Sequence, residues 1–498
     1  MSIQDTLSLK KVNARLENLR SLGKVIHRYV DARNYTSTQQ QITINLDEIK
    51  DKPVVYKNMA YDCYHFISAT SALAITDSVC FKHGVFDLFD SLIVRCGGKD
   101  IVVTQSFLNI YNKLRLDLTF DLSDNEIYDL EMGNDTYPNF LMTGASSYVS
   151  GATGNWFVSA TGSAQKIEGY NPGLEQRCSG MQKWFVDGSK RRDGITPSPD
   201  QGGFLVHVHI PLVDFIPLFD TDNDFFGSWK VGYSWEFQFN LAITNASNNA
   251  YLRAQSTTAG LTSSWHYQCR IYYDTVDLPD KELSEIVKEL RSSQPQYFTF
   301  REHEIASIST ADTSTSWTNK KIHEGIVGLE QLYIFGYATA ELTGPYNTKN
   351  PDEILRLKNF RLRVGSADRF ETPLTENQLF EEFQRCATKH INPLTDKGKC
   401  WINKETWMRN KRIHGFQLGE YIRQESDPYS SKRVEFSADR SGGDSVSLDL
   451  YGILVRKTYV KVSRIGDLFD MTKQSIPFKH EASPSLSGGK IRRRKHHK

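Results

Sequence analysis

Residues 231–243 read VGYSWEFQFNLAI, and this stretch decides the fold. Apolar or aromatic side chains occupy every second position from Val231 to Ile243, and polar side chains lie between them from Ser234 to Asn240. Because successive side chains of a β-strand point to opposite faces of the sheet, this alternation predicts a strand with one buried and one wetted face. The surrounding region is therefore expected to form an antiparallel sheet on an apolar core.

Further segments with strand character flank this stretch and divide the chain into two halves. They are residues 204–213, 263–276, 296–309, 327–342 and 445–462. The aromatic content of 12% favours the same structure, because flat side chains suit a pleated surface.

Each half also contains one predicted helix after its early strands. The apolar face of the first helix consists of Phe107, Ile110, Tyr111 and Leu114. In the second half, Thr375 and Gln378 have the spacing of a capping box, which marks a helix start. The two halves therefore share one order of elements, in which strands, a helix and further strands precede a long final strand.

The two ends of the chain differ from this pattern. Over residues 3–30, apolar side chains recur every three or four positions among lysines and arginines, which predicts an amphipathic basic helix. Such an arm either packs on its own domain or docks on a neighbour, a nucleic acid or a lipid surface. Residues 464–498 lose periodicity and are expected to form a flexible basic tail.

The bulk properties argue against several classes of protein. A net charge of +1 gives no overall field for nucleic acid or membrane, and no apolar run approaches the ~20 residues of a membrane span. We expect no signal peptide. The seven cysteines are widely spread without any C-x-x-C pair, which favours buried thiols in a reducing compartment over a zinc module or a disulfide framework.

One weak candidate for a metal site emerges from the motif search. His207 and His209 lie two residues apart on a predicted strand and share a face, and Asp214 follows. This pattern partly resembles the cupin metal motif. The cupin glycines and the second histidine motif are missing, so a polar strand face is the favoured interpretation.

An acidic run at 216–225, IPLFDTDNDF, begins like a calcium-binding loop. Phe225 and Val231 stand where an EF-hand requires a glycine and a bidentate glutamate, so the run fails as a calcium site. The sequence holds no phosphate-binding loop, no dinucleotide fingerprint and no nucleophile elbow. We therefore predict no catalytic residue, no cofactor and no enzyme activity.

The order of segments over residues 200–465 resembles that of double jelly-roll major capsid proteins. These come from virophages, polinton-like viruses and the lineage related to the adenovirus hexon. The matching segments, in chain order, are IPLVDFIPLF, VGYSWEFQFNLAITN, HYQCRIYYDTVDLP, DKELSEIVKEL, QYFTFREHEI, GLEQLYIFGYATAELTG, NFRLRVGSADRFETPLTENQLFEEFQRC and SLDLYGILVRKTYVKV. No single motif is diagnostic, and the order of the segments carries the resemblance.

This resemblance implies an all-β fold of two consecutive antiparallel eight-stranded jelly rolls with short helices. The expected divisions are an N-terminal helical arm at 1–40, a first jelly roll at 41–278 with a long loop at 144–203, a linker helix at 279–296, a second jelly roll at 297–463 and a flexible tail at 464–498.

The resemblance also implies a structural role in the virion. The chain would form homotrimers that act as pseudo-hexagonal capsomers of an icosahedral shell, assembled inside the host cell. Its partners would be neighbouring capsomers and penton and minor capsid proteins. The N-terminal arm or the basic tail would meet viral DNA or an internal membrane.

Two features of the tail are candidate sites. The candidate nucleic-acid or targeting contacts are Lys490, Arg492, Arg493, Arg494 and Lys495. Gly489 and Lys490 lie in an L-x-G-G-x pattern that resembles the sites cut by adenovirus-type maturation proteases.

Three other functions stay open at this stage. The chain could be a minor capsid or spike protein of the same fold. A cupin-like metal enzyme would use His207 and His209. A carbohydrate-binding β-sandwich would suit the aromatic content.

Overall fold

A computed structural model of the chain describes its two strand-rich halves. The described residues are 24–33, 40–46, 54–69, 79–81, 85–104, 107–119, 182–184, 203–220, 234–241, 252–254, 261–277, 281, 296–339, 353–388, 402–409, 411–419, 422, 430–441, 446–465 and 468–474.

Strands account for most of the described residues, and those that pair along a ladder do so in antiparallel order. In the first half they are β1 Lys24–Asp31, β2 Gln41–Leu46, β3 Val54–Ala69, β4 Val79–Phe81, β5 Phe89–Cys96, β6 Lys99–Thr104, β7 Gln182–Trp184, β8 Gly203–Pro211, β9 Trp235–Leu241, β10 Leu252–Ala254 and β11 Leu261–Asp277. In the second half they are β12 Gln296–Asp312, β13 Ser316–Ile326, β14 Leu329–Ala338, β15 Leu357–Val364, β16 Ala367–Asp368, β17 His414–Gln417, β18 Lys432–Arg440, β19 Leu448–Ile465 and β20 Leu468–Gln474.

Each half is a pair of facing sheets. The first half has a five-stranded sheet in the order β1-β11-β3-β8-β7 and a four-stranded sheet in the order β2-β9-β5-β6. The second half has the order β12-β19-β14-β17, with β20 paired to β19, and a four-stranded sheet β13-β18-β15-β16. The predicted all-β class of two jelly rolls is confirmed. Eight strands were predicted for each roll; the two facing sheets of each half have nine described strands, and β4 and β10 form a further two-stranded sheet in the first half.

Of the predicted strand 231–243, residues Trp235–Leu241 form β9. Its side chains alternate as expected, with Trp235, Phe237, Phe239 and Leu241 buried and the polar residues between them half-buried. Phe239 lies 4.4 Å from the Tyr61 ring of β3 in the opposite sheet, between ring centroids. In the second half, the rings of Phe360 on β15 and Phe416 on β17 stack at 4.9 Å. Each core therefore lies between its two sheets.

Three α-helices connect the strands in the described residues: α1 Leu108–Thr119, α2 Glu376–Thr388 and α3 Lys404–Arg409. Short 310 helices cover Val85–Leu88, Leu212–Asp214 and Pro217–Asp220. The predicted helix start at Thr375 is confirmed, because the Gln378 side-chain oxygen accepts a 2.9 Å hydrogen bond from the backbone N–H of Thr375.

Two predictions for the chain ends need correction. Residues 24–31 form β1 rather than part of a helix, because Val25, Ile26 and Val30 are β-branched and the segment completes the edge of a sheet along β11. Residues 468–474 form β20 rather than a flexible tail, because β19 extends far enough to offer it a partner.

Other predicted elements fall largely outside the described residues. These are most of the linker helix 279–296, the loop 144–203 apart from β7, residues 1–23 of the arm and residues 475–498 of the tail. Gln296 belongs to β12. The domain divisions stay predictions.

Candidate functional surface and buried charge cluster

Side chains from four neighbouring strands meet on the outer face of the first five-stranded sheet. We call this row the outer stripe; it consists of Tyr29, Arg270, Tyr272, Asp62, His209 and His207. The Arg270 guanidinium lies 4.7 Å from the centroid of the Tyr29 ring and 5.9 Å from that of Tyr272. Cation–π contact and ring packing thus join the edge strand β1 to β11.

At the other end of the outer stripe, two histidines hold one carboxylate. The Nε2 of His207 lies 2.8 Å from the Oδ2 of Asp62, and the Nδ1 of His209 lies 3.1 Å from the same oxygen. The strand period places both rings on one face of β8, and the β3–β8 register sets His209 opposite Asp62. The predicted shared face of the two histidines is therefore confirmed.

The Asp62 carboxylate is buried, and its protonation is shifted by this arrangement. Burial alone would raise its pKa, but the hydrogen bonds from His207 and His209 and the attraction of their rings outweigh burial and lower the pKa to about 2. The carboxylate is therefore ionised at a pH well above this value.

We predict that Asp62→Asn removes part of the acid sensitivity of the protein. Since the pKa of Asp62 is lower in the folded chain than the ordinary value of 3.8, its contribution to stability is complete above pH 3.8 and is lost as the pH falls towards 2. Urea midpoints measured from pH 5 to pH 2 will decline less in the variant. Asp368→Asn, which removes an exposed carboxylate paired with Arg363, is the control. An unchanged decline in Asp62→Asn would contradict the prediction.

The edge strand β1 presents an unusual surface for its position. Val25 and Tyr29 are 42% and 55% exposed. They lie on the same face of β1 as His27, whose Nδ1 lies 2.5 Å from the Oδ1 of Asp274. Tyrosine and arginine are enriched in protein interfaces, and among the described strands of this sheet β1 pairs on one side only, with β11. This edge and the outer stripe next to it are therefore suited to contact another protein surface.

A second cluster lies buried between the two jelly rolls. We call it the inter-roll quartet; it consists of Lys113, Asp117, Glu353 and Lys411. Lys113 and Asp117 lie one turn apart on α1 of the first half, whereas Glu353 and Lys411 belong to the second half. Each side chain is at most 3% exposed.

Every charge of the inter-roll quartet has an opposite charge beside it. The Nζ of Lys113 contacts Asp117 at 2.7 Å and also contacts Glu353, and the Nζ of Lys411 lies 3.0 Å from Asp117 and 3.4 Å from Glu353. The Tyr337 hydroxyl donates to Glu353 at 3.0 Å, and burial raises the pKa of Tyr337, so it stays a neutral donor. Two lysines and two carboxylates make the cluster neutral.

Aromatic contacts extend the same junction. Phe107 lies 5.3 Å from the Tyr451 ring of β19, and Tyr111 lies 4.3 Å from the His303 ring of β12, between centroids. The helix α1, with Phe107 directly before it, therefore joins the two rolls through both charge and aromatic contacts.

The other predicted site residues stand as follows. Asp214 lies in the 310 helix after β8, but its side chain is not among those described. The predicted site residues of the tail lie outside the described residues altogether: Gly489, Lys490, Arg492, Arg493, Arg494 and Lys495. Among the described side chains, no group of three or more histidines, cysteines or carboxylates is arranged to hold a metal ion. None of the described helices combines the length and apolar character that crossing a membrane requires.

Sequence reasoning missed Asp62 and the inter-roll quartet. A charged residue inside the otherwise apolar and aromatic strand YDCYHF was the available signal for Asp62. A lysine and an aspartate four residues apart on α1 were the signal for half of the quartet, but the same spacing is common on solvated helices.

Comparisons with known proteins bear on the fold. No protein-family model and no curated protein matches the sequence. A chain in the cryo-EM structure of the Sputnik virophage is 11% identical, with a TM-score of 0.54 over 94% of this chain and 92% of that one. The mavirus major capsid protein is 9% identical, with a TM-score of 0.48 over 91% and 90% of the two chains. Together with the two facing-sheet sandwiches, the Sputnik match shows that this chain has the double jelly-roll fold.

Proposed function

We propose that this chain is the major capsid protein of a virus, with a structural function and no catalysis. The observation that carries the proposal is the match of both jelly rolls, over 94% of the chain, to a chain of the Sputnik virophage. The mavirus chain with a similar fold is itself a major capsid protein. Two similar sandwiches in one chain suit this role, because three such chains place six similar units around an axis.

The capsomer is proposed to be a homotrimer that tiles an icosahedral shell in the virion. Neighbouring capsomers and penton and minor capsid proteins are the proposed partners. The basic residues from Lys490 to Lys495 are proposed to meet viral DNA, an internal membrane or a minor capsid protein.

Cleavage after Gly489 would release these basic residues from the chain. Mass spectrometry that finds an intact C-terminus in mature particles would contradict that cleavage.

Light scattering after size exclusion tests the trimer. We expect a particle of three times 56.9 kDa, and pseudo-hexagonal capsomers or shells in electron micrographs. A stable monomer at high micromolar concentration would contradict the proposal. Bound metal in stoichiometric amount would favour a cupin-like enzyme, and retention on a glycan array would favour a carbohydrate-binding module.

A further inference from the structure

Two buried cysteines lie side by side on the central strands of the first sheet. In the β3–β11 register, Asp62 is opposite Arg270 and Tyr64 is opposite Tyr267. Cys63 therefore faces two residues, Gln268 and Cys269, which makes this position a β-bulge.

The bulge turns the second cysteine towards the first. Gln268 is the extra residue of the bulge, has a positive φ of 54° and is exposed. Cys269, in contrast, is 2% exposed and faces the core. Cys63 is 1% exposed on the same inner face. Both thiols are thus sealed inside the first sandwich.

The two thiols are also in direct contact. Burial raises the pKa of Cys63 well above 9.0, and its hydrogen bond with Cys269 acts in the same direction. Tyr61, two residues before Cys63 on β3, is buried on the same inner face. In a regular antiparallel ladder, opposite residues have Cα atoms about 4.5–5.5 Å apart, within the range of about 4.4–6.8 Å that a disulfide spans. The bond therefore needs only a local adjustment at the bulge.

We propose that Cys63 and Cys269 are a modification site, a dithiol that closes to a cross-strand disulfide when the protein meets a disulfide oxidant. Each thiol gives up its proton, and the pair gives two electrons to the oxidant, whose S–S bond breaks to yield two thiols. The new bond joins the Sγ atoms of β3 and β11. The proposal does not depend on the capsid role.

The same burial sets the rate of this reaction. Because the thiolate is the attacking species, a raised pKa and a sealed site keep both cysteines reduced during brief oxidation. Closure requires local opening of the strand pair, and the register shift at Gln268 interrupts the ladder beside the two cysteines. Once formed, the bond fixes the two strands that carry Asp62, Arg270 and Tyr272 of the outer stripe.

The test uses the full-length protein incubated for days with oxidised glutathione, followed by denaturation, alkylation and peptide mapping. We expect a linked pair of peptides containing Cys63 and Cys269, lighter by two hydrogens than the reduced pair. Since the bond closes a loop of about 200 residues, the melting temperature should rise by roughly 5 °C and return after dithiothreitol.

Cys63→Ala and Cys269→Ala should each lose the rise in melting temperature, whereas Cys96→Ala, which removes a buried thiol from β5, should keep it. Mapping of the unsubstituted protein gives the answer even if a variant fails to fold. Full alkylation of both cysteines after oxidation, a mixed disulfide with glutathione alone, or a bond from either cysteine to a different one would each overturn the proposal.

Discussion

Glu353→Gln will destabilise the protein by about 3–5 kcal/mol, the largest effect we expect from a single substitution of a charged residue. The change leaves Lys113 and Lys411 with only Asp117 as an ionised partner, in a site where all four side chains are at most 3% exposed. A buried charge that loses its partner keeps the full cost of its desolvation. The free energy of unfolding, from urea denaturation followed by tryptophan fluorescence, is the measurement.

The same variant should also separate the unfolding of the two rolls. The inter-roll quartet and the contacts of α1 with Tyr451 and His303 are a junction that couples one sandwich to the other. When the quartet is broken, we expect one transition to become two.

Two further variants sharpen this test. Glu324→Gln removes an exposed carboxylate that pairs with Lys321, and should leave the free energy of unfolding almost unchanged. The double variant Glu353→Gln/Lys411→Met restores neutrality and should recover part of the loss. A cost below 1 kcal/mol for Glu353→Gln alone would show that the quartet does not hold the rolls together.

His414→Gln will flatten the loss of stability between pH 6.5 and pH 4. Burial lowers the pKa of His414 to about 4, although its Nε2–H donates a 2.8 Å hydrogen bond to the carbonyl oxygen of Leu355. Its Nδ1 is buried and accepts no hydrogen bond from the described residues, so a proton there would have no acceptor. The folded protein therefore holds this imidazole neutral.

The sign of the pH dependence follows from this lowered pKa. Below pH 6.5 His414 is protonated in the unfolded chain, whereas in the folded chain it stays neutral down to about pH 4. The contribution of His414 to stability is therefore complete above pH 6.5 and is lost as the pH falls from 6.5 to 4. The loss amounts to about 3 kcal/mol. Glutamine can still donate to Leu355 but does not titrate.

Urea midpoints at half-unit steps from pH 7 to pH 4 measure this effect. The matched control is His27→Gln, which replaces a histidine whose side chain is 82% exposed. Its urea midpoint should decline between pH 6.5 and pH 4 as that of the unsubstituted protein does. If His414→Gln declines as steeply as the unsubstituted protein, another group must cause the loss.

Periodic patterns in the sequence predicted those elements that can be recognised without knowing which other element packs against them. The alternation of Trp235, Phe237 and Phe239 is a property of the strand itself, so β9 was predictable without knowing what covers it. The Thr375–Gln378 capping box likewise involves only one turn of chain. Such local signals also located α1.

The two wrong predictions differ in how far along the chain the pairing strand lies. Residues 24–31 carry apolar side chains that suit a helix or a strand, and the open edge of β11 decides between them. Residues 468–474 have no strong pattern, and the length of β19 decides that they pair. The partner of residues 24–31 lies far along the chain, since Lys24 pairs with Asp277, and no window of sequence contains both. Residues 468–474 instead fold back on the strand just before them, where Leu468 pairs with Ile465, so the missed signal was a local hairpin.

The sequence by itself determined that the chain has two consecutive strand-rich halves, where their main strands lie and where two helices form, because these follow from side-chain periods within a few turns or pleats. Only the tertiary structure decided the sheet orders, the contact of Asp62 with two histidines 145 and 147 residues away, and the approach of Asp117 to Lys411 across 294 residues. The pairing of Cys63 with Cys269 depends on a bulge in the same way. These contacts depend on which strands pair and in what register, and that is set by the packing of the whole core.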